Sequence, residues 1–310
     1  MENTRAKTTR NSLILLLTAT IWGMAFVSQS KGMDYMHPFT FNGVRSLIGA
    51  AGILVYILFS RKIAGDKAAK LDWKLNVKAG LLCGIFLTIA SILQQFGIKY
   101  TSVGKAGFIT TLYIIFVPMF GIFLKKKVAP VVWAAAGMAA VGMYLLCMTE
   151  SLRLGAGDIM VFLCAIAFAI QIMTVDHYAA RIDGAVVSCI QFTVCGVVCC
   201  IGALIWGQPT FGQIQEGLGA LLYAGVLSCG VGYTLQIVGQ KGLNPTVAAL
   251  IMSLESVIAT ISGWIAYKIG FLSTDQTLTP RQIAGCIIVF AAVILVQLPP
   301  EWFRFGKKNA

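Results

Sequence analysis

The sequence predicts an all-α integral membrane protein: ten transmembrane helices arranged as two inverted five-helix repeats. Three observations carry this prediction: long continuous apolar runs, basic residues gathered in alternate joints, and a helical segment written twice. Of the 310 residues, 58% are hydrophobic and 12% charged, and the mean hydropathy is +0.82. A soluble core of this size cannot hide that much apolar surface. The runs are continuous rather than alternating, which excludes a β-barrel and leaves helices, whose backbone hydrogen bonds are satisfied internally.

Taken in order, the runs begin near Asn11, Pro38, Leu75, Lys105, Pro130, Gly157, Gly184, Ile214, Pro245 and Pro280. Each is roughly 20 residues, enough to cross about 30 Å of hydrocarbon as a helix. The first follows a basic segment, as a secretory signal would, but it lacks an A-x-A-like cleavage pattern and carries WG and Gln29, so it is expected to stay as a span. The second holds Arg45 and a row of small residues from Gly43 to Ala51 that suits close helix packing. The third carries Gln94 and Gln95, and the fourth is interrupted by Pro118, which removes a backbone hydrogen bond and loosens the turn before it. The fifth has a second small-residue row, Ala134 to Gly142. The sixth carries Gln171 and ends near Asp176 and His177, the seventh and eighth hold Gln191 and Gln236, and the ninth contains Glu255.

A formal net charge of +12 raises the question of nucleic acid, and the distribution of the basic residues excludes it. Arg5, Lys7 and Arg10 precede the first run; Arg61, Lys62, Lys67, Lys70 and Lys74 fill the joint after the second; Lys125, Lys126 and Lys127 follow the fourth. Arg181, Lys241, Arg304, Lys307 and Lys308 add to the same side, whereas the alternate joints hold Lys31, Lys99, Lys105, Arg153, Lys268 and Arg281. By the positive-inside rule this bias, roughly 16 to 6, predicts a multi-pass protein of the cytoplasmic membrane with both termini cytoplasmic. Trp73, Trp206, Trp302, Tyr100 and Tyr267 fall near the expected helix ends, where an interfacial aromatic belt would place them. The nine cysteines all lie in the apolar runs with no C-x-x-C pair, and no histidine is spaced for zinc, so no disulfide framework, metal or cofactor is expected.

The duplication is legible directly. Residues 101 to 127, TSVGKAGFITTLYIIFVPMFGIFLKKK, slide onto 242 to 268, GLNPTVAALIMSLESVIATISGWIAYK, with small and aromatic positions in step. The helix after each also matches (129 to 146 against 279 to 296), and LLLTATIWGMAFVSQS (15 to 30) corresponds to VFLCAIAFAIQIMTVD (161 to 176), which sets Arg45 opposite Gln191. The organisation predicted is therefore a tail, 1–10, a first repeat, 11–148, a second, 155–298, and a second tail, 299–310, with both tails cytoplasmic. With five helices per half, the second copy enters the membrane from the opposite side. Inverted repeats of this kind are the architecture of secondary transporters, with the binding site near mid-bilayer between the halves.

The IWGMAF motif (21 to 26), the arginine of FNGVRSLIGA (41 to 50), the segment GIKYTSVGKAGFITTLYIIFVPMFG (97 to 121) and SLESVIATISGW (253 to 264) resemble the EamA-type branch of the drug/metabolite transporter superfamily over nearly the whole chain. The resemblance implies a ten-helix inverted-repeat carrier, often an exporter of amino acids or other small metabolites. It also implies a central cavity lined mainly by helices one, three, four, six, eight and nine. The chain departs from the family where a glycine-glutamate pair commonly ends the fourth and ninth helices: here those places read LKKK (124 to 127) and AYKIG (266 to 270). About nine extra residues also separate Tyr267 from Pro280 relative to the first copy.

Glu255 is the sharpest candidate for contact with cargo, because a carboxylate at mid-membrane costs roughly 2.5 to 3.5 kcal/mol unless something offsets it. A proton, a cationic or amine-bearing substrate, or a structural partner such as Arg45 would each do so. Gln94 and Gln236, on helices expected near the pseudo-axis, offer two donors and an acceptor each to a polar solute, or else join helices to one another. Trp22, beside Gly23, and Tyr113 and Phe116 supply an aromatic wall or ordinary packing. Arg45 is assigned a structural or coupling role, with snorkelling to the interface and anion binding as its alternatives, and Gln191 and Pro118 join it. Asp176 and His177 stand as a proton relay or a solvated interfacial pair. No G-x-x-x-x-G-K-[ST], H-E-x-x-H or G-x-S-x-G motif is present, so neither an enzyme nor a self-contained ATP-driven pump is expected. The sequence therefore points to a secondary transporter of a small metabolite, an amino acid or related polar solute, moved outward by alternating access. An importer or uncoupled facilitator is the alternative, with a channel or membrane-embedded enzyme behind it. Its partners are a small-molecule substrate and the lipid bilayer, without nucleic acid, and a homodimer is left open.

Overall fold

The computed structural model describes residues 2–64, 71–124, 130–147, 155–273 and 275–297. The Lys125–Lys127 run and the 299–310 tail with Trp302 lie outside them. All regular secondary structure among the described residues is helical, in ten successive segments. These are α1 (Glu2–Gly32), α2 (Pro38–Ala64), α3 (Trp73–Ile98), α4 (Val103–Phe123) and α5 (Pro130–Cys147). After them come α6 (Ala156–Tyr178), α7 (Gly184–Gly207), α8 (Leu218–Gln240), α9 (Pro245–Lys268) and α10 (Pro280–Gln297), with a short helix, Phe211–Glu216, ahead of α8. Eight of the ten are long and apolar enough to cross a membrane; α5 and α10 hold shorter apolar stretches, Pro130–Gly142 and Pro280–Leu295. This is an all-helical, multi-pass membrane architecture. Helix starts fall within a few residues of those expected, except that α1 begins well before Asn11 and the eighth run divides into the short helix and α8.

The starts have local causes. Asp72 accepts from Leu75 N at 3.0 Å, Ser102 from Lys105 N at 3.3 Å and Asp183 from Ala185 N at 2.9 Å, each side chain satisfying an orphan donor of the first turn of α3, α4 or α7. Asn244 does the same for α9 at 2.9 Å, with Pro245 at the first helical position, where its missing N–H costs nothing. α9 ends on a Schellman turn: Gly270 at φ +75° takes the left-handed conformation, and Phe271 N donates to Ala266 O at 2.8 Å. The extra residues that follow turn back so that Leu272 packs, buried, with Phe26 of α1, Val103 at the start of α4 and Ala259 of α9.

Two helices are broken in the middle. α4 divides at Leu112 into Val103–Thr111 and Tyr113–Phe123, and α9 divides at Ser253 into Pro245–Met252 and Leu254–Lys268. The expectation that Pro118 interrupts α4 needs correction. The helix continues through Pro118, because a single lost bond inside an otherwise intact segment is tolerated, and the discontinuity lies at Leu112, where the backbone closes a tight i→i+3 turn. α9 breaks with no proline beyond its first position.

The packing is largely between early and late helices: α2 lies along α7 and α8, α3 between α6 and α7, α5 along α10, and α1 along α8 and the second part of α9. The two parts of α4 meet the two parts of α9 and also pack on α6. Small residues permit these approaches. A Cβ added at Gly157 would lie 2.8 Å from the carbonyl oxygen of Gly97, and one at Gly97 would lie 2.8 Å from that of Gly157, so the α3–α6 seam is set by backbone contact. Gly157→Val is expected to destabilise the protein by about 1 to 3 kcal/mol through overpacking. Gly137→Ala, whose Cβ would meet nothing within 4 Å, is expected to be neutral or slightly stabilising. Thermal melts of the two variants in detergent provide the comparison.

Candidate functional site

Where the broken helices cross, the bundle encloses a cavity of about 30 Å³. That is room for a couple of water molecules at roughly 10 to 15 Å³ each. Each surrounding helix turns one face to it: Trp22, Phe26 and Gln29 from α1, Ser91 and Gln94 from α3, Thr110 and Tyr113 from α4, Phe168 and Gln171 from α6, Tyr233 and Gln236 from α8, Glu255 from α9. Arg45 of α2 and Phe192 of α7 complete the wall.

Glu255 lies in the first turn after the break in α9, 3% exposed, and its Oε1 accepts from Tyr113 Oη at 3.1 Å. Tyr113 begins the second part of α4, so this hydrogen bond spans the crossing of the two broken helices. Gln94 Nε2 donates to Thr110 Oγ1 at 3.2 Å, tying α3 to α4. Gln236 and Gln171 exchange amide hydrogen bonds at 3.2 and 3.5 Å, and Gln171 also donates to Gln191 Oε1 at 3.5 Å. The Trp22 and Tyr233 rings stand 4.5 Å apart, with Phe192 edge-on to Tyr233 at 5.0 Å. Trp22 Nε1 donates to Ser228 O at 3.4 Å, inside a π-helical stretch of α8, Tyr223–Gly232, whose wider turns leave that carbonyl accessible.

Arg45 does not snorkel: it is 5% exposed, its guanidinium carbon lies 5.4 Å from the Phe41 ring centre, and its Nε has no hydrogen-bond partner. Nor does it pair with Glu255, since no carboxylate among the described residues comes within 4.0 Å of it. Gln29 Oε1, another buried polar atom of the lining, is likewise without a partner. The cavity thus holds an acid and a base that do not neutralise one another, with an unsatisfied donor and an unsatisfied acceptor nearby. Such a site can bind a small polar solute of mixed charge.

The EamA-like transporter family profile matches residues 10–148 and 155–298. The chain belongs to that family. An uncharacterized transporter of Archaeoglobus fulgidus is 27% identical over 92% of this chain and 84% of its own length. The uncharacterized transporter YwfM of Bacillus subtilis is 24% identical over 94% of each chain. A solved structure described only as "Crystal structure of protein" superposes with a TM-score of 0.73 at 16% identity, covering 96% of this chain and 99% of that one, which shows the shared fold. This EamA-like chain is a membrane transporter, as the resemblance to the drug/metabolite transporter superfamily implies.

Of the residues singled out in this EamA-like transporter by sequence, Glu255, Gln94, Gln236, Trp22, Tyr113 and Arg45 meet at the one cavity. Gln191 lies fully buried behind it against Gln171, and Pro118 is buried in the second part of α4. Phe116 packs against Phe162 at 5.6 Å, and His177 is exposed beside Arg181, both off the cavity wall. Tyr233, Gln29, Ser91 and Thr110 were missed. The signal was present, since each lies three or seven residues from Gln236, Trp22, Gln94 or Tyr113 and so shares a helix face with it.

Removing the donor of Tyr113 leaves a buried carboxylate short of a partner. Tyr113→Phe is expected to cost about 1 to 3 kcal/mol of stability. Because the two groups act as a unit, Tyr113→Phe with Glu255→Gln should cost less than the sum of the single changes in a thermal-melt double-mutant cycle.

Proposed function

We propose that this EamA-like transporter is a secondary carrier that moves a small zwitterionic or polar metabolite, of the amino-acid class, across the cytoplasmic membrane by alternating access, with export as its working direction. The observation that carries the proposal is the small cavity at the crossing of α4 and α9, with polar groups set in an apolar and aromatic wall. Glu255 and Arg45 share its wall without pairing, the arrangement that suits an ammonium at one and a carboxylate at the other. Its volume of about 30 Å³ has room for water rather than an amino acid, so the helices must part to admit cargo.

Two inverted five-helix halves supply the means. The register that slides 101 to 127 onto 242 to 268 sets Leu112 opposite Ser253, so the two helix breaks fall at corresponding positions. The contacts exchange in the same way: α1 on α8 and α9 is matched by α6 on α3 and α4, and α2 on α8 by α7 on α3. Discontinuous helices meeting at mid-depth between repeats are where carriers of this architecture place cargo.

In proteoliposomes, a cargo amino acid should exchange by saturable counterflow; single-channel currents, or no exchange with any polar metabolite tried, would defeat the carrier reading. If Glu255 also carries the driving proton, Glu255→Gln should lose uphill transport while keeping counterflow, and a pH dependence equal to that of the unmodified protein would reject that role. For the topology, single cysteines replacing Lys7 and Gly155 in a cysteine-free background should label from opposite faces of the membrane. Labelling from one face would mean that α5 does not cross and that the halves are not inverted.

A further inference from the structure

Away from the central cavity, an open cleft of about 620 Å³ lies where α2 ends, α3 and α7 begin and α8 ends. Among the described residues three cations stand at it: Arg61 from α2, Arg181 from the α6–α7 joint and Lys241 just past α8. Arg61 has no hydrogen bond or ion pair among the described residues. Lys241 Nζ donates to Ile182 O at 3.2 Å and Arg181 Nη2 to His177 O at 3.4 Å, so both keep donor capacity for a further acceptor. The cleft also holds Asp72 and Asp183, whose Oδ1 atoms cap α3 and α7; against the three cations they leave the described lining with a positive balance of one.

The cleft continues into a second, apolar groove of about 430 Å³ between α2 and α8, and Tyr56, Thr234 and Val238 belong to both. Its floor is formed by Gly49, Gly52 and Gly230, and a Cβ at Gly52 would meet nothing within 4 Å. From Arg61 back to Gly49 is about 18 Å of helix, close to the depth of one leaflet's hydrocarbon. The basic mouth lies at the end of the bundle where basic joints gather, the end expected to face the anionic leaflet.

We propose that this continuous cleft and groove is a binding site for an anionic phospholipid. Its phosphate sits among Arg61, Arg181 and Lys241, and an acyl chain runs down the glycine-floored groove between α2 and α8. A basic mouth alone would suit any anion, and an apolar groove alone any chain; their continuity through Tyr56, Thr234 and Val238 selects a molecule that has both. The site borders α2 and α8, which carry Arg45 and Gln236, so an occupant would steady two walls of the cavity.

The test uses the full chain purified in detergent and read by native mass spectrometry and thermal melting with phosphatidylglycerol, phosphatidylcholine or inorganic phosphate. The unmodified protein should retain phosphatidylglycerol over phosphatidylcholine by about tenfold or more. The double variant Arg61→Gln with Arg181→Gln should keep its fold and lose that preference, while Gly52→Leu, which fills open groove, should lose both lipids without a lower melting temperature. Equal retention of the two lipids by the unmodified protein, or selectivity unchanged in the charge variant, would overturn the proposal. A melting shift with inorganic phosphate as large as with phosphatidylglycerol would make this a free-anion site instead. Loss of a dimer in Gly52→Leu with lipid retention intact would assign the groove to a second copy of the chain.

Discussion

Hydrocarbon offers no hydrogen bonds, so every polar group set inside this bundle has to be answered by the protein, by water or by cargo. That constraint explains the centre of the molecule. Glu255 is answered by Tyr113, Gln94 by Thr110, Gln171 by Gln236, and Asn42 reaches the Ser91 carbonyl at 2.8 Å. All four of these bonds join different helices, so the polar seam also holds the bundle in register. Among the described residues eight buried side-chain polar atoms lack a partner; Arg45 Nε and Gln29 Oε1 belong to residues of the cavity wall, and the others, such as Asn42 Oδ1 and Gln191 Nε2, do not. A wholly satisfied seam would be a structural core; a partly satisfied one is suited to bind and release.

The helix breaks give this seam its place. A continuous α4 would carry Tyr113 on one uninterrupted face, and a continuous α9 would do the same with Glu255. With both helices broken at the crossing, the phenol and the carboxylate lie 3.1 Å apart, and each part of α4 meets the opposite part of α9. The π-helical stretch of α8 adds a backbone carbonyl for Trp22 on the facing wall.

The two ends of the bundle are closed by different chemistry. At one, Lys105 Nζ meets Asp158 Oδ2 at 2.6 Å, Thr101 Oγ1 donates to Asp158 Oδ1 at 2.9 Å, and Leu272 is tucked beneath. At the other, Asn11 donates to the Lys241 carbonyl at 2.7 Å, and Asp183 N donates to Asn76 at 2.9 Å. Among the described residues an ion pair joins helices at the first closure, and at the second Lys241 Nζ donates to the Ile182 carbonyl at 3.2 Å. On the alternating-access reading, opening at the first end separates an ion pair, and opening at the second breaks hydrogen bonds, one of them from the Lys241 ammonium.

Sequence by itself determined the helical membrane class, the approximate helix starts and the family, because continuous apolar runs and short motifs are local patterns that need no tertiary partner to be read. It also marked Glu255, Gln94 and Gln236, since a polar residue in an apolar run stands out by composition alone. Which of those residues meet was decided only by the tertiary structure. Arg45 and Gln191 occupy matching positions in the two halves, yet one lines the cavity and the other is buried behind it against Gln171. The breaks at Leu112 and Ser253, and the cleft that joins Arg61 to Gly52, likewise arise from helices far apart in the chain. Their geometry is fixed by how closely backbones approach across a seam, and one-dimensional spacing does not encode that distance.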